Sequence, residues 1–154
     1  MLAKTKAISL VINILFLFVC VSSFAEMRST NGDKVDLRNG PGENYSVKWE
    51  YGNGFPVRIL SKKGKWIKTQ DFESDKGWIN AAMLNKQPHV IVKVNKGKNK
   101  KISIRRGPGS KYDVIGQAYY GVVFEKQKQE KGWVKVKHES GMEGWIEAPL
   151  LWGF

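Results

Sequence analysis

The sequence predicts an all-β protein built as two tandem small units, and three observations carry that prediction. Leu37-Arg38-Asn39-Gly40-Pro41-Gly42 returns as Ile104-Arg105-Arg106-Gly107-Pro108-Gly109, a separation of 67 positions. The same offset carries Tyr45 onto Tyr112, Val47 onto Val114, Gly54 onto Gly121, Trp66 onto Trp133 and Lys68 onto Lys135. It also carries Gly77-Trp78-Ile79 onto Gly144-Trp145-Ile146, and Ala81 and Leu84 onto Ala148 and Leu151, without a gap. A constant spacing over such a span marks an internal duplication. Second, the runs between turn signals are short and alternate apolar with polar residues, the period of a half-buried strand. Third, no segment sustains a helical period. Short strands separated by Gly and polar turns indicate small barrels or sandwiches.

Residues 1–25 stand apart and read as a secretory signal peptide. Lys4 and Lys6 precede an apolar run from Ile8 to Val21, broken only by Asn13, and Ser23 and Ala25 supply the small residues before a cut after Ala25. The run is short of the about 20 apolar residues a membrane span needs; an uncleaved anchor is the alternative. The single cysteine, Cys20, lies inside this leader, so the mature chain has no disulfide, thiolate ligand or thiol nucleophile. Val19 before Cys20 does not suit a lipid-modified cysteine.

After the leader, residues 26–32 read as a short loose lead-in, with Ser, Thr, Asn and Gly and no periodicity. The first unit, residues 33–87, follows. Val35 and Leu37 alternate with charged neighbours, a strand that ends in the Gly40-Pro41-Gly42 turn. Pro pre-sets φ at the second turn position, and Gly42 is expected to supply positive φ at the third. Val47, Trp49 and Tyr51 alternate with Lys48 and Glu50 as the next strand, a register that predicts burial of Trp49. Gly52-Asn53-Gly54 turns the chain into a strand around Val57 and Ile59, and Ser61-Lys62-Lys63-Gly64 turns it into Trp66–Thr69. After the polar stretch 71–76, Gly77-Trp78-Ile79 begins the fifth strand, and Ala81–Leu84 is long enough only for a 3₁₀ turn.

Residues 88–100 read as a connecting strand, His89–Val94, and a basic linker. The strand has no counterpart in the 67-residue register, and either completes the first unit or bridges the two. Residues 101–154 repeat the pattern, with strands near 102–105, 114–118, 122–126, 133–137 and 145–147. The apolar end Leu150-Leu151-Trp152-Gly153-Phe154 is expected to dock. Units of about 60 residues bury only about 60% of their unfolded surface. Large rings offset this, so the six tryptophans have structural work first.

The order Leu-Arg-x-Gly-Pro-Gly, Tyr, Val, Gly, Trp-x-Lys and Gly-Trp-Ile resembles the bacterial SH3-like domain in two tandem copies, over roughly 33–86 and 100–154. Tyr45–Tyr51 and Leu150-Leu151-Trp152-Gly153 are similar to a variant found in short exported proteins of Gram-negative bacteria. The resemblance implies a five- to six-stranded, partly open barrel per copy. Its implied role is non-catalytic attachment to cell-wall peptidoglycan peptide or an envelope protein, in the periplasm or at the surface. Many members have Gly where the first copy has Trp49, whereas the second keeps Gly116. The two copies therefore present different surfaces.

The candidate ligand-binding residues are Arg38, Tyr45, Trp66, Arg105, Tyr112, Tyr119 and Trp133. Tyr45 and Tyr112 stand just beyond the turn, on a loop where binding residues concentrate. Trp66 and Trp133 follow a turn and can show one face to a groove, while Trp78 and Trp145 are expected in the core. Arg38 and Arg105 carry forks suited to a carboxylate or phosphate. Tyr119 and Tyr120 are adjacent, so one of them points outward.

Formal net charge is +12. Residues 26–87 hold 11 basic and 8 acidic residues, and residues 88–154 hold 13 and 6, so the second unit is the cationic one. An anionic glycan or lipid bound through that unit, with Lys96, Lys98, Lys100 and Lys101 in contact, is the alternative reading. Nucleic acid is not expected as a partner of an exported chain, and no cofactor is implied. His89 and His138 assemble into no recognisable catalytic set. Asp71, Glu73 and Asp75 lack the glycine and terminal glutamate of a calcium-binding loop and read as a solvated acidic loop. The expectation is no enzyme, with an accessory role beside a wall hydrolase as a further alternative.

Overall fold

The computed structural model describes residues 25–154, so the expected leader and Cys20 lie outside the described residues. The described chain is all-β and forms two seven-stranded sheets of the same design. The first contains β1 (Met27–Thr30), β2 (Val35–Arg38), β3 (Val47–Tyr51), β4 (Pro56–Lys63), β5 (Trp66–Gln70), β6 (Lys76–Asn80) and β7 (Leu84–Asn85). The second contains β8 (His89–Val92), β9 (Ile102–Arg105), β10 (Val114–Ala118), β11 (Val123–Glu130), β12 (Trp133–Lys137), β13 (Glu143–Glu147) and β14 (Leu151–Trp152). Strand orders are β3-β2-β6-β5-β4-β1-β7 and β10-β9-β13-β12-β11-β8-β14. Each sheet curls round its own core with β3 or β10 left as an edge, the geometry of a small, partly open barrel. A 3₁₀ turn precedes the last strand of each, at Ala81–Met83 and Ala148–Leu150. Among the described residues no helix is long and apolar enough to cross a membrane.

The duplication extends to irregularities. The β2–β3 register slips between Leu37 and Arg38, and the β9–β10 register between Val114 and Gly116. The slip in β4 between Ile59 and Ser61 recurs in β11 between Lys126 and Lys128. Such bulges increase twist and let a short sheet close on itself.

Two expectations about the chain ends of the units need correction. Residues 26–32 are not a loose lead-in. β1 lies between β4 and β7, with Ser29 and Thr30 buried. Thr30 Oγ1 donates to the Gly52 carbonyl at 2.6 Å and accepts from Phe55 N–H at 2.8 Å, so its polarity is met by backbone. The His89–Val92 strand is no bridge either: it pairs with β11 and β14, the place β1 holds in the first sheet. It escapes the 67-residue register because the connection from β8 to β9 is five residues longer than that from β1 to β2. The extra length holds the Lys-rich segment.

The cores are built from the alternating apolar positions. Val35, Leu37, Tyr51, Val57 and Ile79 form the first, and Phe55, Met83 and Leu84 pack against it. The second is larger and includes Ile102, Ile104, Phe124, Val134, Val136 and Ile146. Leu151 is buried and pairs with Val92, so the apolar end docks as its composition predicts. The sheets touch around Ser29, whose hydroxyl donates to the Gln87 carbonyl at 2.7 Å and lies 3.0 Å from His89 Nδ1.

Candidate functional site

Both copies of the Gly-Pro-Gly turn are built the same way. Gly42 N–H donates to the Gly40 carbonyl at 3.0 Å, and Gly109 N–H to that of Gly107 at 3.0 Å. Each is a three-residue turn with proline at its centre, where φ near −75° suits the ring. The expected positive φ at Gly42 is not observed, nor is it at Gly109. Glycine is needed here for space, because the Tyr45 and Tyr112 rings lie against Gly40 and Gly107. Both rings stay exposed, at 44% and 38%.

The arginine beside each turn braces it. Arg38 Nη1 donates to the carbonyls of Glu43 and Tyr45 at 3.0 and 2.9 Å, and its Nη2 donates to Asp36 Oδ2 at 2.6 Å. Arg105 Nη1 repeats the bond to the tyrosine carbonyl, Tyr112, at 2.8 Å. In the first copy a depression of about 260 Å³ opens beside this arginine, lined by Lys34, Asp36, Arg38, Glu43 and Trp66. Arg38, Tyr45 and Trp66 thus share one region around the turn, although Trp66 itself is only 7% exposed. Trp133 is half-buried at the equivalent position. Tyr119 is the outward member of its pair, with Lys101 Nζ 4.8 Å from its ring centroid. It has no aromatic counterpart in the first copy, where Gly52 takes its place.

Tyr120 points the other way, into contact between the copies. Its hydroxyl donates to Glu73, its ring centroid lies 5.3 Å from that of Phe72, and Lys96 forms an ion pair with the same glutamate. Lys96 and Tyr120 together hold the Glu73 carboxyl below its usual range, the lysine being the larger influence. Lys98, Lys100 and Lys101 remain exposed.

Trp49 departs from expectation: it is 54% exposed, and its Nε1–H donates to Asp75 Oδ2 at 3.1 Å. β3 is the sheet edge, so nothing packs over its outer end, and only Tyr51 of the Val47–Trp49–Tyr51 face reaches the core. An exposed edge tryptophan is a candidate that alternation alone misses; its sequence signal is the departure from the glycine that the second copy keeps at Gly116. Asp71 departs as well. It is not solvated but buried, accepting from Tyr51 Oη–H at 2.8 Å and from the N–H groups of Glu73 and Asp75. Burial, then the bond to Asp71, pushes the Tyr51 phenol well above its ordinary value. The carboxylate organises its own loop. Among the described residues no three His, Cys, Asp or Glu side chains are placed to hold a metal ion. Trp145 is buried and Trp78 half-buried, with Lys128 and Lys68 over their rings at 5.0 and 6.0 Å.

A family model for the Bacterial SH3 domain matches residues 31–86 and 98–153. YrvJ of Bacillus subtilis (strain 168), named as a candidate N-acetylmuramoyl-L-alanine amidase, is 25% identical over 158 residues. The match takes in 95% of this chain and 30% of that protein, so the chain spans less than a third of the relative's length. Among solved structures, NlpC1 from Trichomonas vaginalis is similar over 84% of this chain and 47% of its own, at 11% identity and a TM-score of 0.36. An NlpC/P60 family protein from Bacillus cereus ATCC 10987 is similar over 84% and 56%, at 13% identity and a TM-score of 0.37. Nothing about this chain's activity follows from likenesses at that score.

Proposed function

The chain belongs to the bacterial SH3 domain family, and from that premise we propose that it is an exported, non-catalytic binding module that attaches to cell-wall peptide. The observation that supports this most directly is the Gly-Pro-Gly turn, present in both copies with an arginine and an exposed tyrosine beside it. In the first copy Arg38 and Trp66 also line a depression with no Ser, Thr, Cys or His among its lining residues, and Trp133 stands at the equivalent place in the second copy. Rings offer stacking faces to a peptide, and a guanidinium offers donors to its carbonyls and carboxylates. That set recognises; it supplies no nucleophile with an adjacent base. The relative named for an N-acetylmuramoyl-L-alanine bond supports a wall peptide as the ligand, and the signal-peptide pattern of residues 1–25 supports export to the envelope.

The test is retention of residues 25–154, which contain both sheets whole, on purified sacculi. We expect retention at low salt and its loss when Tyr112 and Trp133 are both replaced by alanine. A folded chain that passes through unretained overturns the proposal. Release of soluble fragments from the sacculi would instead reveal a hydrolase.

A further inference from the structure

The duplication supplies an internal control for the site, because the first copy shows what satisfies the cations that the second leaves open. Val35 and Leu37 of β2 are buried, so alternation turns Lys34, Asp36 and Arg38 to the other face, with Glu50 of β3 across from Asp36. Two ion pairs close that row: Arg38 Nη2 to Asp36 Oδ2 at 2.6 Å and Lys34 Nζ to Glu50 Oε2 at 2.7 Å. In the second copy Ile102 and Ile104 are buried and the outer row reads Lys101, Ser103, Arg105, with Gln117 across from Ser103. The cations are kept and both carboxylates are gone. Glu43, which approaches Lys65 at 3.7 Å, likewise becomes Ser110.

Arg105 Nη1 is committed to the Tyr112 carbonyl, but among the described residues its Nη2 edge has no hydrogen-bond partner and neither Arg105 nor Lys101 has an ion-pair partner. Asp113 and Glu147 are the acids new to this part of the second copy, at the places of Ser46 and Asn80, and neither lies within ion-pair distance of those two cations.

We propose that the second copy binds a peptide carboxylate between Lys101 and Arg105, over Ser103, where the first copy holds its own Asp36 carboxylate. The ligand oxygen accepts from Arg105 Nη2 as Asp36 does from Arg38, and the Ser103 hydroxyl is a further donor. Tyr119, with Lys101 at its ring, gives the ligand's apolar body a surface, and Tyr112 is tied to the seat through its carbonyl bond with Arg105. The first copy is occupied by itself and does not compete. This deepens the wall-peptide reading above and rests on it for the choice of peptide over other anions.

The probe is N-acetyl-Ala-Ala as the free acid and as its carboxamide, titrated into residues 25–154 and followed by NMR. We expect shifts confined to the second copy, with the amide at least tenfold weaker. Ser103→Asp installs the first copy's solution, so it preserves the fold and abolishes acid binding. Asp36→Ser with Glu50→Gln reproduces the second copy in the first and creates a second set of shifts. Equal binding of acid and amide, or acid binding untouched by Ser103→Asp, overturns the inference. So does a preference for phosphatidylglycerol vesicles that Ser103→Asp abolishes while the dipeptide gives no shifts. Retention on sacculi by a chain that fails the dipeptide arm leaves the wall reading standing without this site. A chain that passes the dipeptide arm but is not retained keeps the site and loses the wall.

Discussion

The ring of Tyr45 rests on Gly40: a Cβ built on that glycine would stand 2.3 Å from two ring carbons, and Gly107 meets Tyr112 in the same way at 2.6 Å. Neither glycine has a positive φ, so the demand is for room alone. Gly107→Ala is expected to lift the Tyr112 ring off the turn. Because the ring is already partly exposed, the cost is at the low end for an overpacked site, about 1 kcal/mol. Ring-proton NMR shifts of Tyr112 check the displacement; an unmoved ring with unchanged stability refutes the packing argument.

Thr69 is fully buried and its hydroxyl has no hydrogen-bond partner among the described residues, whereas the second copy has Val136 at the same place. An unmet buried hydroxyl costs about 1–3 kcal/mol. Thr69→Val should therefore stabilise the first copy by about 1 kcal/mol, and Val136→Thr should destabilise the second. Thr30 is the contrast, because its hydroxyl both donates and accepts. Thr30→Val should destabilise. Urea unfolding of the three variants decides; a destabilised Thr69→Val is the result that counts against this reading.

Arg38 and Arg105 occupy equivalent positions with unequal partners. Arg38→Ala leaves Asp36 without its guanidinium and removes two bonds to carbonyls, whereas Arg105→Ala removes one. Since the pair is only partly shielded, the expected difference is modest, about 1 kcal/mol, with Arg38→Ala the more destabilising. Binding to sacculi should show the reverse order, Arg105→Ala losing more. Parallel unfolding and retention assays measure both; identical behaviour of the two variants in both assays would remove the distinction between the copies.

The contact between the copies is pH-dependent through Glu73. Bonds from Lys96 and Tyr120 lower its pKa, so the contact is fully present above the ordinary carboxylate value of 4.5 and is lost as pH falls through the lower folded value. The Tyr120 ring signals should shift in that acidic window, and Glu73→Gln should abolish the step. The same transition in the glutamine variant would assign it to another group.

Much of the barrel is legible in the residues themselves. The 67-residue offset locates both turns, and alternation finds β2, β9 and β12 together with the buried Val35, Leu37 and Ile104. β1 is not legible, because Ser29 and Thr30 carry no apolar signal and their burial depends on backbone carbonyls of Gln87 and Gly52 that answer their hydroxyls. Trp49 obeys the alternation of its strand and is still exposed, since the sheet ends beside it. At the site, the types and spacing of Arg38, Tyr45, Arg105 and Tyr112 are plain in the sequence. That Trp66 is almost covered, and that Tyr120 leaves the site for Glu73, are not.

By itself the sequence determined the duplication, the turns and the alternating core positions, because each is a relation between residues a few places apart or a fixed spacing apart. Tertiary structure alone decided which charges are answered. The change from Asp36 to Ser103 is visible in the string of letters. Its consequence depends on bonds and strand pairings: Arg38 is closed by a carboxylate, Glu50 crosses to Lys34 from another strand, and among the described residues nothing answers one edge of the Arg105 guanidinium.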